Sequence, residues 1–195
     1  MKHAPAVPGV EDLHLRRWSP RAFSDRNVSA TELKAVFEAA RWAASSSNEQ
    51  PWRFLVGRKG DPVYRKIFNA LVEFNQRWAG QAPVLIVSLA KKTFSNNGSP
   101  NIHNLHDTGA ATATLALQAT ASGLHTHHMA GFDREQMRAS FAIPSDYEFG
   151  SVTALGYLGD PNSLSDTMRQ KELAPRERKP LNEIVFSDWE KPAQF

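Results

Sequence analysis

The stretch "LHDTGAATATLALQATASG", Leu105 to Gly123, decides how this chain is built. It has no proline and no charge after Asp107, and its side chains are mostly alanine, threonine and glycine. The pattern is helical, and Gly123 is a natural residue to end it, because glycine takes up the left-handed conformation without strain. A helix with small apolar residues all round is buried on every side. In a chain of 195 residues this predicts either a central helix or one half-covered by a second subunit.

Elements of both kinds flank it. "VSATELKAVFEAARWAA" opens with a capping box, Ser29 followed three residues later by Glu32. Leu33, Val36, Phe37 and Ala40 then form one apolar stripe. "WRFLVG" reads as a strand, and Asp61-Pro62 starts another helix with stripe Tyr64, Ile67, Phe68 and Leu71. "PVLIVSLA" is a buried strand, residues 91–104 a polar loop, "FDREQMRASF" a helix capped by Asp133, and "SVTALGYLG" a strand. Val10 to Arg17 forms a short helix before Pro20, and "PLNEIVFSDW" reads as a final strand. The order predicts an α/β or α+β sandwich with a mixed sheet in one domain, residues 1–195. Residues 1–9 are expected to be a loose arm and 160–195 a polar tail.

Composition narrows the function. A hydrophobic content of 41% supports a real core. A net charge of +3 without a basic run interleaved with aromatics argues against nucleic acid. The absence of cysteine excludes disulfides, thiolate metal sites and cysteine nucleophiles, and fits a reducing cytosol. The Pro- and Ala-rich start has no apolar signal core, and Ala82 to Ala90 is too short to span a bilayer. The expectation is a soluble cytoplasmic protein.

Four clusters carry chemistry. "HLRRWSPRAFS", His14 to Ser24, groups three arginines with a tryptophan and serines. Arginine grips phosphate bidentately, although a solvated basic turn is the plainer reading. "AASSSNEQPW", Ala43 to Trp52, offers amides and hydroxyls suited to a heterocycle's edge, or simply to a turn. "APRERKP" places Arg176 and Arg178 on one side of an extended segment, so an anion between the chain's ends would be clamped from two sides. Of the histidines, His103 and His106 lie three apart, and His125, His127 and His128 cluster. Without HExxH or cysteine, the expectation is no metal site. No GxSxG, P-loop or GxGxxG motif is present, which argues against a Rossmann nicotinamide site.

Together these stretches resemble the nitroreductase family of FMN-dependent oxidoreductases. "RRWSPRAF" is similar to the family's Arg-Arg-Ser-x-Arg-x-Phe opening, with Trp18 inserted, and "SSSNEQPWRF" to its Ser-x-x-Asn-x-Gln-Pro-Trp-x-Phe signature. "APVLIV", "HDTGAA", "SGLHTHHMAGFD", "IPSDYE" and "ALGYLGDP" follow in family order, so the resemblance runs from about Leu15 to Phe186. It implies a three-layer α/β/α sandwich with a mixed central sheet, an intertwined homodimer with FMN at the interface, and a C-terminal extension packed on the partner. It further implies that Arg17, Trp18, Ser19 and Arg21 contact the flavin and its phosphate tail, with Arg176 and Arg178 closing on the phosphate. Asn75 would lie at the flavin's polar edge, and Ser45 and Asn48 would reach over from the second subunit. His128, Met129, Ala130 and Gly131 would line the ring's back face, with the Ala130 N–H near N5. Arg17 is the candidate cation for the N1 side.

Three positions depart from the family pattern. Trp78 stands where some members carry lysine, Ala44 replaces a proline, and the loop at 91–104 is short. The implied activity passes hydride from NAD(P)H through FMN to a small acceptor such as a nitroaromatic or quinone, by ping-pong, with no side chain needed as acid or base. The alternatives are flavin fragmentation, dehalogenation or peptide-ring oxidation on the same scaffold, a flavin-binding protein without turnover, and a histidine metalloprotein.

Overall fold

A computed structural model describes residues 2–194, so Met1 and Phe195, the ends of the expected domain, lie outside the described residues. The central sheet is built from Trp52–Arg58 (β1), Val84–Lys91 (β2), His125–Met129 (β3) and Tyr147–Gly156 (β4), in spatial order β1-β2-β4-β3. β2 is an almost unbroken apolar run and occupies the interior of the sheet, buried until Lys91. Its side chains alternate. Leu85, Val87 and Leu89 point to one layer with Tyr64, Ile67, Trp78 and Met137, whereas Val84 and Ile86 point to the other with Leu33, Val36, Leu115 and Ala119. Helices on both faces complete the α/β/α sandwich of an α+β fold.

The helices are Asp12–Arg16 (α1), Ala30–Arg41 (α2), Pro62–Asn69 (α3), Glu73–Ala79 (α4), Asn104–Ala121 (α5), Arg134–Phe141 (α6) and Asp166–Leu173 (α7). Capping chemistry sets several of their starts. Ser29 Oγ accepts from Glu32 N at 3.1 Å while the Glu32 carboxylate accepts from Ser29 N at 2.8 Å. Asp61 and Asp133 cap α3 and α6 by accepting from Tyr64 N and Gln136 N. Gly123, at φ +74°, ends α5 as expected.

Several expectations need correction. Every ladder among the four central strands is antiparallel, so within this chain the sheet is not mixed. β3 was not legible as a strand, because His-Thr-His-His-Met lacks an apolar alternation. α4 was missed because its N-cap, Val72, offers no side-chain cap. α5 is not buried all round. It packs on α2 and the sheet through Ala111, Leu115 and Ala119, while Leu105, Gly109 and Ala113 are exposed. The N-terminal arm is tied down, with Ala4 N donating to Leu15 O at 3.0 Å and Lys2 Nζ to Glu172 O at 2.8 Å. The tail folds as a 3-10 turn, Pro161–Ser163, and then as α7, which buries Met168 and Glu172. Only beyond it does the chain stand off. "PLNEIVFSDW" forms one helical turn and then the small hairpin Phe186–Asp188 (β5) and Lys191–Pro192 (β6), separate from the central sheet.

Candidate functional site

β3 lies at an edge of the sheet, with β4 its one strand neighbour. The segment 17–22 runs close to it, as the contacts of Trp18 with His125 and of Pro20 with His127 show. α1 ends at Arg16, the extended backbone of its C-cap Arg17 starts this segment, and Pro20 keeps it from resuming helix.

Arg17, Arg176 and Arg178 converge on one cleft of about 580 Å³, walled by Ala4, Pro5, Val7 and Leu15. Arg17 is half-buried, and burial together with the neighbouring Arg178 pushes its pKa below the ordinary guanidinium value. Burial, Arg17 and Arg178 do the same to Arg176. Glu177 lies at the same cleft, yet no described carboxylate comes within 4.0 Å of any of the three. Three crowded cations with no ion pair form a site that an anion would relieve. Arg176 also ties the chain's two ends together by donating to Leu15 O. Arginines from the two ends of the chain therefore meet at one cleft.

Arg21 faces elsewhere. Its guanidinium lies over the Trp78 ring, 6.0 Å from the centroid, and its Nε is buried with no partner among the described residues. Trp78 is 1% exposed and packs against Phe23 and, at 4.5 Å between centroids, against His127. Trp78 is thus part of the core, with the Arg21 cation above it. Trp18 turns away from the arginine cleft. Its indole lines a second cavity of about 520 Å³ with Lys2, His3, Leu158 and Glu172, and meets His125 edge-on. Ser19 is exposed beside it.

The far end of β3 brings the next group together. Asn75 Nδ2 donates to Gly131 O at 2.9 Å, and a Cβ on Gly131 would lie 2.9 Å from both Asn75 Nδ2 and Val72 Cγ2, so a larger residue there would displace those side chains. Ala130 is exposed next to it, while Met129 is buried in the core and offers only backbone to a ligand. His128 Nδ1 lies 2.7 Å from Thr153 Oγ1, and its pKa falls to about 4 through burial and, secondarily, through Arg17. His127 and His125 are also pulled down to about 4, chiefly by burial, so all three imidazoles are neutral at neutral pH.

Ser45 and Asn48 do not share a cavity with the arginines. They sit in a loop where Ser47, Asn48 and Gln50 all have positive φ, near +50°, a strained conformation for non-glycine residues. Ser45 Oγ accepts from Gln50 N, and Ser46 N donates to the buried Asp107 at the start of α5. Residues that sequence reasoning missed are Glu172, Lys2 and the His127–Trp78 pair. Glu172 lies in a polar tail with no motif around it. Among the described residues, no three His, Asp or Glu side chains converge as a metal site, and no helix is long and apolar enough to cross a membrane.

Comparison with known proteins shows what the whole chain is similar to. The family model described as the nitroreductase family matches residues 15–71 and 58–157. A solved structure described as an oxidoreductase containing FMN is 34% identical, with a TM-score of 0.89 over 94% of each chain. A nitroreductase family protein from Clostridium difficile 630 is 27% identical, with a TM-score of 0.70 over 90% of this chain and 96% of that one. An NADH dehydrogenase from Thermus thermophilus is 27% identical over a gapped alignment of 204 positions that covers 88% of this chain and 92% of the relative. Since the family match takes in the arginine segment, the strained loop and all four strands of the sheet, this chain belongs to the nitroreductase family.

Proposed function

We propose that this protein is an FMN-dependent NAD(P)H oxidoreductase that works as a homodimer on small electron acceptors, nitroaromatics or quinones among them. The observation that carries the reading is the cleft of Arg17, Arg176 and Arg178 without a carboxylate partner. A flavin phosphate, close to doubly negative at neutral pH, fits that charge. The 34% identical structure described as an oxidoreductase containing FMN supports the same cofactor. Bound FMN would supply the hydride chemistry, accepting from a nicotinamide and donating to the acceptor in turn.

The chain's own residues bind, orient and polarise. Arg17, Arg176 and Arg178 would hold the phosphate, and Asn75, with Nδ2 already bonded to Gly131 O, would offer its oxygen to the ring's polar edge. Arg17 belongs with the phosphate group, so the cation for the N1 side passes to Arg21, which lies over Trp78. A cation there favours reduced flavin. Neutral His127 and His128 add no competing charge at neutral pH.

Two features support a dimer. One face of α5 is left exposed, and the tail beyond α7 exposes Leu181, Ile184, Phe186 and Trp189. Ser45 and Asn48, remote from the arginine cleft of their own chain, would then complete a partner's site. The absence of cysteine is consistent with a cytoplasmic location.

The test is an absorbance spectrum of the purified protein before and after anaerobic NADH or NADPH. Flavin bands that bleach with either donor are expected, and Arg17→Ala should lose most of the bound flavin. A fully yellow Arg17→Ala protein would remove that residue from the site. Bands that no pyridine nucleotide bleaches would favour the fragmenting or dehalogenating chemistries.

A further inference from the structure

We propose that Glu172 and His127 are positioning residues that hold the backbone around Arg21, so that its guanidinium stays free for the flavin's N1 edge. The inference rests on the reading above. Glu172 is 3% exposed on α7, far in sequence from the segment it holds. Its Oε1 accepts from Arg21 N at 2.8 Å and Ala22 N at 3.0 Å, and its Oε2 accepts from Arg21 N at 3.1 Å. From the other side, His127 Nδ1 lies 2.8 Å from Pro20 O. A carbonyl only accepts, so Nδ1 carries the proton and donates. Three consecutive residues, Pro20, Arg21 and Ala22, are therefore held by side chains from α7 and β3. Gly159 N adds a bond to Ala22 O at 2.9 Å.

The choice of partners is the telling feature. A buried carboxylate beside an arginine would ordinarily take the guanidinium in a bidentate pair. Glu172 instead takes the two amides, and no described carboxylate lies within 4.0 Å of the Arg21 guanidinium. The side chain is then laid over Trp78, itself packed on His127. Keeping one carboxylate buried without an ion pair is costly. What the arrangement achieves is a cation laid over Trp78 on a backbone held from two sides, with no described carboxylate paired to it.

A residue that only braces the fold would change stability, or the affinity for both flavin states alike. A residue that places Arg21 would change the preference for reduced over oxidised FMN. The experiment measures the midpoint potential of the FMN-loaded protein, with the dissociation constants of oxidised and reduced FMN, for wild type, Glu172→Gln, His127→Phe and His127→Asn. We expect Glu172→Gln and His127→Phe to lose about tenfold in preference for reduced FMN, equivalent to about 30 mV for a two-electron couple. His127→Asn, whose amide can still donate to Pro20 O, should recover most of that loss. Unchanged potentials, or equal weakening of both flavin states, would overturn the proposal. Should Glu172→Gln fail to fold, the two His127 variants decide it alone. A wild-type protein that takes up no FMN would overturn the functional reading beneath it instead.

Discussion

Three histidines fall within four residues of β3, and burial holds each near a pKa of about 4, against an ordinary 6.5. An unfolded chain takes up protons at these groups as pH falls through 6.5, whereas the native chain does so only near 4. Their contribution to stability is therefore complete above pH 6.5 and is lost as the solution is acidified toward 4. At pH 5 each histidine should cost about 2 kcal/mol relative to neutral pH. His125 isolates the effect, because its Nδ1 is buried without a partner. His125→Phe should unfold in urea with a visibly flatter dependence between pH 5 and 7.5 than wild type, and equal slopes would refute the assignment. At this scale the sequence was partly legible. Arginines near both ends of the chain suggested an anion held between them, although the first cluster read more plainly as a solvated turn and did not separate Arg17 from Arg21. The direction of Trp18 was not legible, since an indole beside arginines can turn either way and only the packing of His125 and Lys2 decides it.

Elements with side-chain caps were the easiest to read. Ser29, Asp61 and Asp133 each satisfy an amide that the first helical turn leaves unpaired, and each marks its helix start correctly. The Ser29 box does more than cap α2. Tyr157, just past β4, donates to the same Glu32 carboxylate and so links helix to strand. Ser29→Ala should destabilise the protein by about 1 kcal/mol in chemical denaturation, while Thr31→Ala on the same helix should not. A matching loss in both variants would mean that the box contributes nothing special. The loop at 45–50 shows the limit of local reading. Its serines and amides suggested a turn, but nothing local requires Ser47 and Gln50 to be left-handed. That conformation is imposed by the bond from Ser46 N to Asp107 and by the bonds of Gln50 to Ser45 and Asn48.

At the scale of the molecule, the body is well packed and the tail is not. Leu181 and Trp189 remain 60% and 82% exposed on a segment separate from the central sheet. Apolar surface of that kind calls for a partner, and the exposed face of α5 lies on the same chain. Truncation after Pro180 keeps all the candidate phosphate arginines and removes the apolar tail. In the homodimer proposed above, the shortened protein should dissociate at least about 100-fold more readily, a loss near 3 kcal/mol, as seen by sedimentation at micromolar concentration. An equally tight dimer would show that α5 suffices without the tail.

By itself the sequence determined the sandwich and its two faces, the capped helices, the end of α5 at Gly123 and the identity of the cationic groups. These follow from short-range rules: periodicity, capping and the conformational freedom of glycine. Only the tertiary structure decided that Arg17, Arg176 and Arg178 meet in one cleft while Arg21 stands apart over Trp78. It alone made the histidine stretch an edge strand, pinned the N-terminal arm and buried Glu172 beneath the Arg21 backbone. Several of those outcomes depend on contacts between residues more than a hundred positions apart, such as the 151 that separate Arg21 from Glu172. No local pattern encodes such pairings, because they exist only once the sheet and its covering helices have brought both ends of the chain to the same edge.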